Sequence, residues 1–204
     1  MKKLFACLII LLILPAACFA NAAHASEGDG DLKRHAASVG EIVIDPGHGG
    51  FDSGLPGEKE SVLVLAGKLK DIFREAGTKV ALTRDANRYV SLQERASRVN
   101  NEMPDLYIGL HRSRTKFSVF SVMEDSARAD SEAIRDRMLA GLAVAFGEDA
   151  VSMRQVPLYM TEHIHAPGVL VEIPANIDLD DETVSASIIT KLLQALEPSP
   201  ENRH

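Results

Sequence analysis

Short apolar runs alternate with stretches of helical periodicity from residue 41 to residue 196. Strands that alternate with helices imply crossover connections between parallel neighbours, with helices covering both faces of the sheet. We therefore expect an α/β fold of three layers, α/β/α, with a mostly parallel central sheet of about six strands. The predicted strands are "EIVID" (41–45), "KVALTR" (79–84), "DLYIGLH" (105–111), "FSVFSVM" (117–123), "VPLYM" (156–160) and "GVLVEI" (168–173).

The helices are predicted from apolar spacing and from residues that commonly end helices. In "EKESVLVLAGKLKDIFREAG" the apolar residues recur at intervals of three and four, and Gly77 is placed to end the helix. Ser91 is the expected N-cap of the next helix, "SLQERASRVNN". Two further helices are predicted at 130–146 and 181–196.

Residues 1–25 have the pattern of a signal peptide. Two lysines precede "LFACLIILLILPAA", an uncharged run that is short for a bilayer span but suits a signal-peptide core. Sites of the small-x-small type end at Ala20 and at Ala25. We expect export, with cleavage at one of these sites and a periplasmic or cell-wall location.

The cysteines and the formal charge restrict what the mature chain can do. Both cysteines, Cys7 and Cys18, lie in the leader, so cleavage leaves no thiol for a disulfide. Cys18 in "LPAAC" is a candidate lipidation site, so a lipid anchor is a second way, besides the leader, in which the chain could attach to a membrane. The formal net charge of −7 gives no general attraction for nucleic acid, which we do not expect as a partner.

The remaining boundaries follow from composition. Residues 26–40 are small, polar and aperiodic, which predicts a flexible tether. Residues 41–196 form one domain with no internal repeat, and residues 197–204 are expected to be a disordered tail. We expect a monomer.

Four ionisable residues stand where this topology would bring them together. His48 follows "IVID", His111 ends "DLYIGLH", and Glu172 lies inside "GVLVEI", where a carboxylate is costly to bury without a purpose. Glu58 begins the first helix. If the strands are parallel neighbours, all four converge on the carboxyl edge of the sheet, where α/β proteins bind ligands. Two histidines and a glutamate are a common catalytic zinc set.

Each of these residues also has a plain structural interpretation. A glutamate at a helix N-terminus interacts favourably with the helix dipole, and a histidine at a strand end is often a hydrogen-bonded rim residue. Coincidence of all four at one edge favours a site. His163 and His165 in "EHIH" are predicted to lie in a polar loop on the groove rim, with a second metal or an oxyanion donor as the alternatives.

Several segments, in order, resemble the zinc-dependent N-acetylmuramoyl-L-alanine amidases with the type 3 catalytic domain. They are "IVIDPGHGGFDSG", "GEKESVLVLAGKL", "LTRDANRYVSLQERASRVNN", "PDLYIGLHRSR" and "PLYMTEHIHAPGVLVEI". The resemblance implies zinc ligands His48, Glu58 and His111, with Glu172 as the catalytic acid and base. It also implies hydrolysis of the amide that joins N-acetylmuramic acid to L-alanine in peptidoglycan or soluble muropeptides.

The chain departs from the family pattern beside two of these residues. Arg112 and Ser113 replace the usual Ala and Asn, and "IPANID" follows Glu172 in place of the usual pattern with glycine, phenylalanine and asparagine. These changes bear on substrate fit and rate. A catalytically silent peptidoglycan-binding or regulatory homologue and a zinc peptidase acting on the stem therefore stay open as alternatives.

Some amidases that resemble this chain carry an inserted helix that blocks the zinc until a partner removes it. Here the span between His111 and Glu172 is already occupied by predicted strands and one helix, at 130–146. Because parallel crossovers need a dozen or more residues, little chain remains for a blocking helix. We therefore expect an open groove.

Overall fold

The computed structural model describes residues 33–196. The predicted signal peptide, the first part of the predicted tether and the predicted tail at 197–204 lie outside the described residues. Within 33–196, no helix combines the length and the apolarity needed to cross a membrane. In chain order the elements are α1 (33–36), β1 (Glu41–Pro46), α2 (Glu58–Glu75), β2 (Lys79–Leu82), α3 (Leu92–Glu102), β3 (Leu106–Ser113), β4 (Phe117–Ser121), α4 (Arg128–Phe146), a 3-10 turn (Glu148–Ala150), β5 (Val151–Ser152), α5 (Tyr159–His163), β6 (Gly168–Pro174) and α6 (Glu182–Ala195).

The six strands form one sheet in the order β2-β1-β3-β6-β4-β5. The first four strands in this order are parallel, β4 is antiparallel to β6, and β5 is parallel to β4. The predicted α/β fold with a mostly parallel sheet is confirmed. Because β1, β3 and β6 run side by side in one direction, the residues at their carboxyl ends share one edge of the sheet.

Each face of the sheet has its own apolar core. On one face the sheet packs against α2, α4 and α6 through side chains such as Leu69, Met138 and Leu192. On the other face it packs against α3 and α5 through Val99 and Met160. These two cores give the three layers, and burial of their apolar surface is the main term that stabilises the fold.

The predicted helix ends are found where the sequence places them. Gly77 has a φ of 90°, a left-handed conformation that glycine adopts without strain, and its N–H donates to the Arg74 carbonyl. The Ser91 hydroxyl accepts a hydrogen bond of 3.2 Å from the Glu94 N–H and caps α3.

The strand predicted at 156–160 is wrong. Residues 153–158 are irregular, and α5 begins at Tyr159. Pro157 has no N–H to donate to a sheet, and the Leu158 N–H donates to the Thr161 hydroxyl at 3.1 Å instead of to a strand. The edge strand in this part of the chain is β5, only two residues long.

The end of the predicted tether belongs to the domain. α1 covers residues 33–36, and Ala36 is fully buried in the core beside α2. The Thr78 hydroxyl lies 2.9 Å from the carbonyl oxygens of Ala36 and Val39 and donates to them. The sequence of this segment has no helical or strand periodicity. Its ordered structure depends on contacts with Thr78, which a local pattern does not show.

Candidate metal centre and acid–base residue

Three side chains meet at the carboxyl edge of the sheet. His48 follows β1, Glu58 is the first residue of α2, and His111 lies in β3. One ligand atom from each lies within 4.8 Å of the other two. Glu58 Oε1 is 3.1 Å from His48 Nε2 and 3.2 Å from His111 Nδ1. The structure thus brings together the three residues that the sequence predicted, and this group could hold a metal ion.

The Glu58 carboxylate is buried, with 2% of the residue exposed. The Leu55 N–H donates to Oε2 at 2.7 Å, and the Arg112 N–H donates to Oε1 at 2.9 Å. Burial by itself raises the pKa of Glu58, but hydrogen bonds from His111, His48 and these two N–H groups outweigh it and hold the pKa well below its usual range. The carboxylate is therefore ionised and fixed in place.

The His48 ring is oriented by a second carboxylate. Asp52 Oδ1 lies 2.7 Å from Nδ1, which leaves Nε2 directed at Glu58. The hydrogen bond with Glu58 raises the pKa of His48, burial lowers it, and Asp52 raises it again, with a net increase. A carboxylate on one ring nitrogen fixes the tautomer that presents the other nitrogen to a metal. Sequence reasoning missed Asp52, although it stands in the same glycine-rich motif, four residues after His48.

Two glycines permit the close packing around these ligands. A Cβ on Gly47 would lie 2.3 Å from His111 Cε1. A Cβ on Gly54, whose φ is +59°, would lie 2.5 Å from Glu58 Oε2. His48 itself has a φ of 60°, an uncommon conformation for a residue with a side chain. The loop can close on the ligands only because these two positions lack side chains.

Two buried arginines bind the backbone of the loop that carries His48. Arg95 Nη1 donates to Asp45 Oδ1 at 2.6 Å, and Arg95 Nη2 donates to the His48 carbonyl. Arg84, fully buried, donates to the carbonyls of Pro46 and Gly47, each at 2.8 Å. The backbone carbonyls from 46 to 48 are therefore all bound by guanidinium groups, and the position of His48 is fixed by the scaffold.

We call His48, Glu58 and His111 the ligand group, and Glu172 lies opposite one of its members, His111, on the neighbouring strand. In the sheet register it is opposite His111 of β3 on one side and Ser118 of β4 on the other. Residues opposite one another on parallel strands point to the same face, so the side chains of Glu172 and His111 share a face. Among the described residues, the half-buried carboxylate has no hydrogen-bond or ion-pair partner. It lines an open cleft of about 530 Å³.

A family model described as N-acetylmuramoyl-L-alanine amidase matches residues 42–187. The chain belongs to this family. It is 31% identical to the amidase LytC of Bacillus subtilis over 144 residues, which are 66% of this chain and 29% of LytC. It is 28% identical to the probable cell wall amidase LytH of Staphylococcus saprophyticus over 169 residues, 74% of this chain and 55% of LytH. The matched part of the chain spans only 18% of AmiC and 26% of AmiA from Escherichia coli.

Solved amidase structures share the fold. The catalytic domain of CwlV from Bacillus (Paenibacillus) polymyxa has a TM-score of 0.63 at 18% identity and covers 76% of this chain and 95% of its own. An N-acetylmuramoyl-L-alanine amidase from Clostridium difficile 630 has a TM-score of 0.63 at 19% identity, with 81% and 98% covered. At this identity the likeness supports the amidase-family fold alone.

The histidines of "EHIH" lie away from His48, Glu58 and His111. The His163 ring stacks on Tyr159, with 4.0 Å between ring centroids, and the His165 N–H donates to Asn100 Oδ1 at 3.0 Å. Both residues precede the amino end of β6, whereas Glu172 lies near its carboxyl end. The segment is therefore at the opposite edge of the sheet, and neither the predicted groove rim nor a second metal site fits this placement.

The ligand group is accessible to solvent. The side chains of His48 and His111 keep 24% and 22% of their surface exposed. Among the described residues that line the cleft at His111 and the cleft at Glu172, none belongs to α4, the helix predicted at 130–146. The helix packs instead against α6 and the sheet.

Proposed function

We propose that this chain is a zinc-dependent amidase that hydrolyses the bond between the lactyl group of N-acetylmuramic acid and L-alanine in peptidoglycan. The observation that carries the proposal is the meeting of His48, Glu58 and His111 within 4.8 Å. Of these, His111 lies opposite Glu172 on the neighbouring strand. Family membership supports the same reaction and the same substrate class.

The donor set fits zinc. Two imidazole nitrogens and one carboxylate oxygen are the ligands of several catalytic zinc sites, which keep a further position open. Glu58 Oε1 already lies between nitrogens of His48 and His111 at 3.1 Å and 3.2 Å, where a cation would replace the shared protons. When bound, zinc supplies the Lewis acidity that activates a water molecule and polarises the scissile carbonyl.

The proton transfers fall to Glu172. Its carboxylate takes a proton from the attacking water and returns it to the amine of L-alanine as the bond breaks. Because no described side chain occupies its oxygens, both are available to a substrate. Asp52 keeps His48 in the tautomer that presents Nε2, while Arg84 and Arg95 hold the loop so that the ligands need not rearrange during the reaction.

We further propose that the protein acts outside the cytoplasm, where peptidoglycan lies. The support is the pattern of residues 1–25, with its two lysines, its apolar core and its small-residue cleavage sites. Cys18 is the residue that would carry a lipid anchor.

Purified protein, assayed for metal content and for muropeptide products by mass spectrometry, tests the proposal. We expect one zinc per chain and release of intact stem peptides with a free L-alanine amine, without any other protein. Zinc-loaded, folded protein with no turnover on any muropeptide would support the silent homologue. Products cut within the stem would support the peptidase. Activity that appears only when a partner is added would contradict the open groove.

A further inference from the structure

The cleft beside Glu172 is positively charged on a protein that is acidic. Glu172 is its one carboxylate among the described lining residues, whereas the formal net charge of the whole chain is −7. A local surplus of one sign in a cleft concentrates ligands of the opposite sign. Four lining side chains are cationic, and we call them the basic wall: Arg112, Arg114, Lys116 and Arg154.

The members of the basic wall differ in their surroundings: Arg112 is half-buried and feels the charges of Glu58 and Asp178, whereas Arg114, Lys116 and Arg154 are exposed. Within residues 33–196, no ion pair joins any of its four members to a carboxylate. Arg112 Nη2 donates to the carbonyls of Pro174 and Ile177 at 3.0 Å and 2.6 Å, but Nη1 is buried without a hydrogen-bond partner. Neighbouring cations repel one another. An anion in the cleft would relieve the repulsion among Arg114, Lys116 and Arg154.

The side of the site on which the basic wall lies identifies the part of the substrate that it meets. Glu172 returns a proton to the leaving amine, and that amine belongs to the peptide. The peptide stem therefore leaves from the side of Glu172. The cleft on the other side of the ligands, about 200 Å³ beside Tyr89 and Leu92, has Arg95 as its one described cation, and Asp45 neutralises it.

We propose that the basic wall binds a free carboxylate of the peptide stem, an inference that rests on the proposed amidase function. Arginine forks match the geometry of a carboxylate, and Lys116 adds a mobile charge. The site therefore selects anionic stems over stems in which that carboxylate is amidated. Arg112, which stands where the family pattern has alanine, is the member of the wall that backbone carbonyls hold.

Equilibrium binding to the zinc-loaded Glu172→Gln protein tests this selection without turnover. The probes are two soluble muropeptides that differ only in amidation of the acidic residue after L-alanine. We expect about tenfold tighter binding of the free carboxylate, as loss of a charge-assisted hydrogen bond requires. Adding Arg114→Gln, Lys116→Gln and Arg154→Gln should reduce the ratio to about twofold or less, and Arg114→Gln alone should reduce it partly. Arg74→Gln, an exposed change at the far end of α2, should keep the full ratio.

Equal affinity for the two probes, or a full preference in the triple variant, would overturn the inference. Turnover of the same pair by the unsubstituted protein separates this failure from that of the proposed function. Hydrolysis of both probes at equal kcat/KM would keep the amidase and remove the selective wall. Carboxylate-selective binding with no hydrolysis would remove the amidase and keep the wall.

Discussion

The two sides of the site differ in how their side chains are held. On the side of His48, each functional group is bound by another: Asp52 holds the ring, and Arg95 holds the backbone. On the side of Glu172, the carboxylate has no described partner and Arg114 is exposed without an ion pair. The scaffold thus fixes the candidate metal site, whereas the cleft at Glu172 is lined largely by exposed side chains, with Arg112 as the member that backbone carbonyls hold.

The departures from the family motif fall on the side of Glu172. Arg112 and Ser113 follow His111 on β3, and the segment after Glu172 leaves the sheet next to them. A substitution there changes the cleft without loosening the ligand loop. The comparison therefore predicts that changes on the His48 side alter stability and metal affinity, and that changes on the Glu172 side alter turnover and selectivity.

Arg95→Ala should give the largest effect. It removes one partner of a buried ion pair with Asp45 and releases the His48 carbonyl, so unfolding free energy should fall by about 3–5 kcal/mol. The matched control is Arg98→Ala, one turn further along α3 in a half-exposed pair with Glu94, which should cost no more than about 1 kcal/mol. Urea unfolding of both variants measures the change in unfolding free energy. Equal losses in the two variants would show that the buried Arg95 contacts stabilise the fold no more than the surface pair does.

Glu172→Gln should leave fold and zinc content intact while turnover falls by at least about a hundredfold, the usual scale for removing a general base. The reason is that the amide cannot accept the water proton, and no other described group pairs with that position. Steady-state kinetics with metal analysis tests it, against Glu162→Gln, an exposed glutamate on α5. Activity near that of the unsubstituted protein would take Glu172 out of the reaction.

Asp52→Ala should weaken zinc binding by about 10–100-fold, since the His48 ring loses the group that fixes its tautomer. Competition with a chelator measures the affinity. Asp85→Ala, an exposed carboxylate in another loop, is the control and should leave the affinity unchanged. Unaltered zinc affinity in the Asp52 variant would mean that this carboxylate does not orient the His48 ring for metal binding.

His163→Ala and His165→Ala should have the smallest effects. Each variant should keep one zinc per chain, and unfolding free energy should change by no more than about 0.5 kcal/mol, as for most exposed sites. Metal analysis and thermal unfolding check the two values. Loss of zinc from either variant would require a different ligand set from the one at the carboxyl edge.

The sequence predicted those features that local pattern controls. Ser91 and Gly77 mark helix ends through their own chemistry, and the strand ends place His48, His111 and Glu172 at one edge. It missed features that depend on distant contacts. The Thr78 hydroxyl donates to the carbonyl of Ala36, 42 positions away in the chain. The Arg112 side chain is held by the carbonyls of Pro174 and Ile177 after β6. No local pattern reveals either contact.

The position of β6 sets an order of assembly. It lies between β3 and β4, although these two strands follow one another directly in the chain. His48, Glu58 and His111, together with every backbone group that binds Glu58, precede residue 114. A chain growing from its N-terminus can close the ligand group by pairing β1 with β3, while Glu172 arrives only after a slower, long-range strand insertion. In this order of assembly, the candidate metal site forms before the carboxylate that we propose as the proton acceptor takes its place in the sheet.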